Sequence, residues 1–105
     1  MSKPRISIPK KKIGEFCNRW KVVEFSLFGS ILREDFHANS DVDVLVSFAP
    51  EAKVSLFDMV DMQDELKGIF GREVDLVSRN GVEYSRNYLR RKNILESAQV
   101  IHAAR

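Results

Sequence analysis

The stretch FGSILREDFHANSDVDVLV, residues 28–46, decides how the rest of the chain is read. A Gly-Ser pair at Gly29 and Ser30 is followed, ten residues on, by Asp41 and Asp43 with Val42 between them. From Asp41 to Phe48 the residues alternate strictly, which predicts a strand over 41–48. Val42, Val44, Val46 and Phe48 fall on one face, and Asp41, Asp43, Leu45 and Ser47 on the other. Both carboxylates therefore leave the same face, with Cα atoms ~6.5–7 Å apart. Two charges at the mouth of a hydrophobic strand need a reason, and the neighbouring Gly-Ser turn is part of it.

Upstream, VVEFSLF (22–28) is β-branched and aromatic and predicts a strand ending at Gly29. Before it, Ile13, Phe16, Cys17 and Trp20 recur at i, i+3, i+4 and i+7, one face of a helix over 10–20. Residues 1–9, with Pro4 and Pro9, read as an arm, leaving one domain over 10–105. Ser30 can cap a short helix to Arg33, and the polar residues 34–40 read as a loop.

Downstream, Leu56, Met59, Val60, Leu66, Ile69 and Phe70 repeat at helical spacing. Ser55 with Asp58 has the form of a capping box, and Gly71 ends this helix. EVDLVS (73–78) is a second alternating strand, with Asp75 opposite Val74 and Leu76. Arg79-Asn80-Gly81 reads as a turn, and Glu83 to about Ala98 as a basic helix in which Tyr84 and Tyr88 are packing residues. Residues 99–102 suit either a last strand or a continuation of that helix. The order predicts an α/β (α+β) fold: a single mixed sheet with helices packed on one face.

Composition sets the outer limits. The chain has 105 residues, 44% apolar and 30% charged, as expected of one folded, soluble domain. No apolar run reaches the ~20 residues of a membrane span, and MSKPRISIPKKK lacks a signal peptide's apolar segment. The single Cys17 excludes an internal disulfide and a cysteine-based metal site. These features suggest a cytoplasmic protein. The net charge of +2 is unevenly spread: residues 34–75 hold eleven Asp and Glu against three Lys and Arg. An acidic middle between basic ends suits a cation site beside a surface for a polyanion or an acidic partner.

If the strand bearing Asp75 neighbours that bearing Asp43, their spacing of ~4.8 Å brings three carboxylates together. Bare, they repel. A divalent cation removes that cost, and oxygen-only ligands suit Mg²⁺. Two such ions ~3.5–4 Å apart would clamp the attacking and leaving oxygens of a phosphoryl transfer. Gly29-Ser30 supplies the complement: glycine lets backbone N–H groups approach a phosphate, and the serine hydroxyl adds a donor. Arg33, one turn on, can reach the same anion. A calcium loop is excluded because Leu45 and Val46 stand where that loop needs an Asx and a glycine. His37 and His102 lack metal-ligand spacing.

Gly29-Ser30, ten residues, Asp41-Val42-Asp43 and a later Asp75 resemble the GSx₁₀DxD signature of the DNA polymerase β-like nucleotidyltransferase superfamily. The short chain, Arg33 and Ser40 resemble its minimal nucleotidyltransferases, over roughly residues 20–102. Many members carry Gly-Ser-x-Ala-Arg-Gly where this chain has Leu32 and Glu34 at the Ala and last Gly. The resemblance implies a polymerase β-like core in which Asp41, Asp43 and Asp75 bind Mg²⁺. Asp75 would also help activate the acceptor hydroxyl, and Gly29, Ser30 and Arg33 would hold the phosphates of ATP. It further implies an antitoxin paired with a HEPN-domain toxin, moving AMP from ATP onto a toxin tyrosine. The alternatives are a non-catalytic antitoxin scaffold and a transferase acting on nucleic acid or a small molecule. The basic helix, with Arg86, Arg90 and Arg91, is the candidate contact for partner or nucleotide.

Overall fold

The computed structural model of the chain describes residues 8–29 and 41–103. The helix expected first is α1, Lys10–Trp20, closed by Lys21 in the left-handed region at φ 58°. Strand β1 is Val22–Phe28 and β2 is Val42–Phe48. Helix α2, Leu56–Phe70, begins with the expected capping box: Asp58 N–H donates to Ser55 Oγ while the Asp58 carboxylate accepts from Ser55 N–H. Gly71, at φ 68°, ends it in the conformation glycine reaches without penalty. Strand β3, Val74–Ser78, follows.

The C-terminal third departs from the sequence reading. Arg79–Glu83 is a short helix, α3, in place of a turn, because Ser78 Oγ accepts the Gly81 N–H and caps it. Helix α4 is Tyr88–Ser97, starting five residues later than expected, where Asn87 caps it by accepting from Arg90 N–H. A cap-forming side chain at each start splits what periodicity alone merges. Gln99–Ala103 resolves as a strand, β4.

The sheet order is β3-β2-β1-β4. β1 runs antiparallel to β2 and to β4, and β2 runs parallel to β3 through the α2 crossover. The sheet is thus single and mixed, as expected. Its first face, Phe25 and Leu27 of β1 with Val42, Val44 and Val46 of β2, packs on Ile13, Phe16 and Cys17 of α1 and Met62 and Leu66 of α2. Phe16 meets Phe25 edge-on with ring centroids 6.1 Å apart. Glu65 locks the two helices by accepting from Trp20 Nε1 and pairing with Arg19 at 2.8 Å. The second face is not bare. Phe28 and Leu45 point to it and receive Val82 of α3 and Ile94 of α4 as a smaller core. The alternation in β2 continues through Leu45, an apolar residue on the aspartates' face, so that face needs a cover beyond its charged end.

Cys17 is the small buried hydrophobe its helical position suggests, 1% exposed. Burial pushes its thiol from 9.0 up to about 12. A raised thiol pKa adds stability below the unfolded value that is lost as pH rises through the folded value. Stability should therefore fall between about pH 9 and about pH 12. At pH 8 the folded protein should not react with a thiol-specific disulfide reagent, and one equivalent should react on denaturation. Rapid labelling of the native protein would contradict this burial.

Candidate active site

Strand register assembles the site. Phe28 pairs with Asp43 across the β1–β2 ladder, and Asp43 pairs with Asp75 across the β2–β3 ladder. One row across the sheet therefore reads Phe28, Asp43, Asp75, and the two carboxylates sit on adjacent strands ~4.8 Å apart at the backbone. Because β2 and β3 are parallel, both aspartates lie near the starts of their strands, at the sheet end where β1 finishes. Asp41 precedes β2 and is exposed. Among the described residues no three His, Cys, Asp or Glu side chains stand close enough together to hold a metal ion. The geometry joins Asp43 with Asp75 and leaves Asp41 two residues away on the same strand parity.

Gly29 closes the row at its β1 end. It has φ 76°, and a Cβ built on it would run into the Asp43 carboxylate, with the carboxylate carbon 3.1 Å away. Glycine is needed there twice over: for the left-handed backbone and for the close approach of the Asp43 side chain. Ser30 and Arg33, also expected at this site, lie outside the described residues.

At the other end of the row, Arg90 of α4 reaches Asp75, Nη2 to Oδ2, at 3.8 Å. Both side chains are about half exposed, so the pair contributes little to stability. The contact places α4 beside the carboxylates. Sequence reasoning listed Arg90 for partner or nucleotide contact but missed this pairing, since helical periodicity does not say which strand a helix crosses.

Arg90 also lines a cavity of about 290 Å³ floored by Leu76, Val77, Val82 and Ile94, with Ser78 and Ser85 on its wall. A larger hollow of about 480 Å³, lined by Ser47, Phe48, Ser55 and Arg79, lies at the opposite ends of β2 and β3. Four residues of strand, ~13 Å, separate Asp43 from Ser47, so that hollow is remote from the carboxylates.

The donor set fits a hard cation. Asp41, Asp43 and Asp75 offer only carboxylate oxygens, and Asp43 with Asp75 are adjacent by register.

Comparison with known proteins shows the family. The model of the nucleotidyltransferase domain family matches residues 9–101. A Methanocaldococcus jannaschii protein is 38% identical over 73 residues, 70% of this chain and 76% of its own length. The protein adenylyltransferase MntA of Thermococcus cleftensis is 35% identical over 69 residues, covering 66% of this chain and 68% of that one. A crystal structure of a toxin–antitoxin with AMP-PNP superposes with TM-score 0.70 over 93% of this chain and 76% of that chain, at 20% identity. A complex of tri-AMPylated Shewanella oneidensis HEPN toxin with its MNT antitoxin gives 0.61 over 90% and 70%, at 18% identity. At such identities those two structures show the shared fold alone; a structure assigned as a minimal nucleotidyltransferase, 30% identical, superposes with TM-score 0.65 over 86% of each chain.

Proposed function

This chain belongs to the nucleotidyltransferase domain family and is a nucleotidyltransferase, and from that premise we propose that it transfers AMP from ATP to a tyrosine hydroxyl of a HEPN-type toxin, acting as its antitoxin. The observation that carries the reading is the register of Asp43 against Asp75, closed at one end by Gly29. Relatives that are protein adenylyltransferases and solved neighbours that are toxin–antitoxin complexes support a protein acceptor of HEPN type.

Each part of the row has one task. Gly29, with Ser30 and Arg33 in the segment that follows, holds the triphosphate by close backbone approach. Asp41, Asp43 and Asp75 would hold the Mg²⁺ that this chemistry calls for. When bound, that metal neutralises charge on the phosphates and lowers the barrier to substitution at phosphorus. The acceptor oxygen forms its bond to the α-phosphorus as the bond to the bridging oxygen breaks, and pyrophosphate leaves with the electron pair. Asp75, at the end away from Gly29, takes the hydroxyl proton.

The test incubates the protein with α-labelled ATP, Mg²⁺ and its HEPN-type partner. Label should appear on a tyrosine of that partner and be absent when chelator replaces the metal. Label found only on added RNA would instead assign a nucleic-acid transferase, and neutralised toxin without label a non-catalytic scaffold.

A further inference from the structure

Resting on that reading, we propose that the corner between α3 and α4 is the surface on which the acceptor protein docks, and that it takes an acidic segment beside the modified hydroxyl. The order of groups in the site gives the direction. Gly29 lies at the β1 end of the row and Asp75 at the β3 end, with Asp43 between them. Substitution at phosphorus is in line, so the attacking hydroxyl enters opposite the departing pyrophosphate. With the triphosphate held at Gly29, the acceptor comes in over Asp75 and the β3 edge.

The α3–α4 corner is what stands there. Arg90 ties it to Asp75. Sequence reasoning made Tyr84 and Tyr88 packing residues, but the structure corrects this: Tyr84 is 85% exposed, Tyr88 59% and Leu89 70%. Tyr84 follows α3 and Tyr88 and Leu89 open α4, and all three lie outside the small core of Phe28, Leu45, Val82 and Ile94. Large aromatic residues left in water beside a site are the kind that anchor interfaces.

Charge selects the occupant. The run YSRNYLRRK, residues 84–92, carries Arg86, Arg90, Arg91 and Lys92 and no acidic residue. Arg91 lies over the Tyr88 ring, 5.4 Å from its centre, and its Nη1 donates to the Glu83 carbonyl oxygen, so part of this cationic surface is already ordered. Exposed leucine and tyrosine among fixed positive charges fit an acidic protein segment with apolar side chains. Another exposed apolar group on a helix, Leu56, Phe57 and Val60, lies at the start of α2, where Leu56 lines the hollow at the far ends of β2 and β3. It is on the wrong end of the sheet for an acceptor.

The test compares the double variant Arg86→Glu with Lys92→Glu, and separately Leu89→Ser, with the native protein, using the purified HEPN-type partner as acceptor. Both variants should raise the acceptor KM at least tenfold while kcat at saturating acceptor and the affinity for ATP stay within twofold. Phe57→Ser should leave all three unchanged. An unchanged acceptor KM in the α4 variants, or a raised one in Phe57→Ser, overturns the docking surface while leaving AMP transfer intact. If the native protein binds a single-stranded RNA probe through this corner and the partner does not compete, the proposal also fails. Absence of label with the native protein is a different result, since it removes the adenylyltransferase reading itself.

Discussion

Asp43→Asn should lower AMP transfer by at least ~10³-fold, about 4 kcal/mol of transition-state stabilisation, with the melting temperature within a few degrees of native. The substitution keeps the shape of a half-buried side chain at the centre of the row and removes its charge. Asp43 is the proposed ligand with a register partner on each side, Phe28 and Asp75, which puts it at the centre of the row. The side chains of Val42 and Val44 on either side stay fully buried on the opposite face, which is why the fold survives. Initial rates with labelled ATP and a thermal melt decide it together. A native rate would show that the reaction does not pass through this row.

Gly29→Val should bring transfer down nearly as far by a different route, and should cost stability as well. A left-handed backbone costs a residue with a Cβ about 1–2 kcal/mol, more when it is β-branched. The new Cβ also collides with the Asp43 carboxylate, so either the turn or the aspartate must move. For a domain of this size, each 1 kcal/mol lowers the melting temperature by roughly 4–8 °C. Gly29→Ala meets the same two obstacles with less bulk and should fall between native and Gly29→Val in both measurements. Equal activity in all three proteins would mean that the approach of Gly29 to Asp43 plays no part in catalysis.

How far the sequence speaks for itself varies along the chain. The β2 alternation identifies both faces of the sheet, and the valines it assigns to the core are all buried. Ser55 with Asp58 marks the start of α2 because its capping box is local, satisfied within four residues. The pairing of Asp43 with Asp75 was legible as a condition, that their strands be neighbours, and the parallel β2–β3 register meets it. The helical boundaries after Ser78 were not legible. Apolar spacing runs on through Tyr84 and Tyr88, and only the side-chain hydrogen bonds of Ser78 and Asn87 show that the chain stops one helix and starts another. The second face of the sheet was missed for a related reason: Leu45 needs cover, but nothing local says that Val82 and Ile94 provide it. Arg90 belongs with these non-local features. Its pairing with Asp75 follows from the path of α4, which periodicity does not contain.

In the proposed reaction Asp43 and Asp75, from neighbouring parallel strands, would share a divalent cation at the end of the sheet that Gly29 closes. Crystals grown with Mn²⁺ and a non-hydrolysable ATP analogue test it most directly, through anomalous scattering from the metal. An anomalous peak bonded to carboxylate oxygens of both Asp43 and Asp75, with the analogue's phosphates against Gly29, is the expected result. Metal bound by neither aspartate, or phosphates seated at the hollow by Ser47 and Arg79, would contradict it.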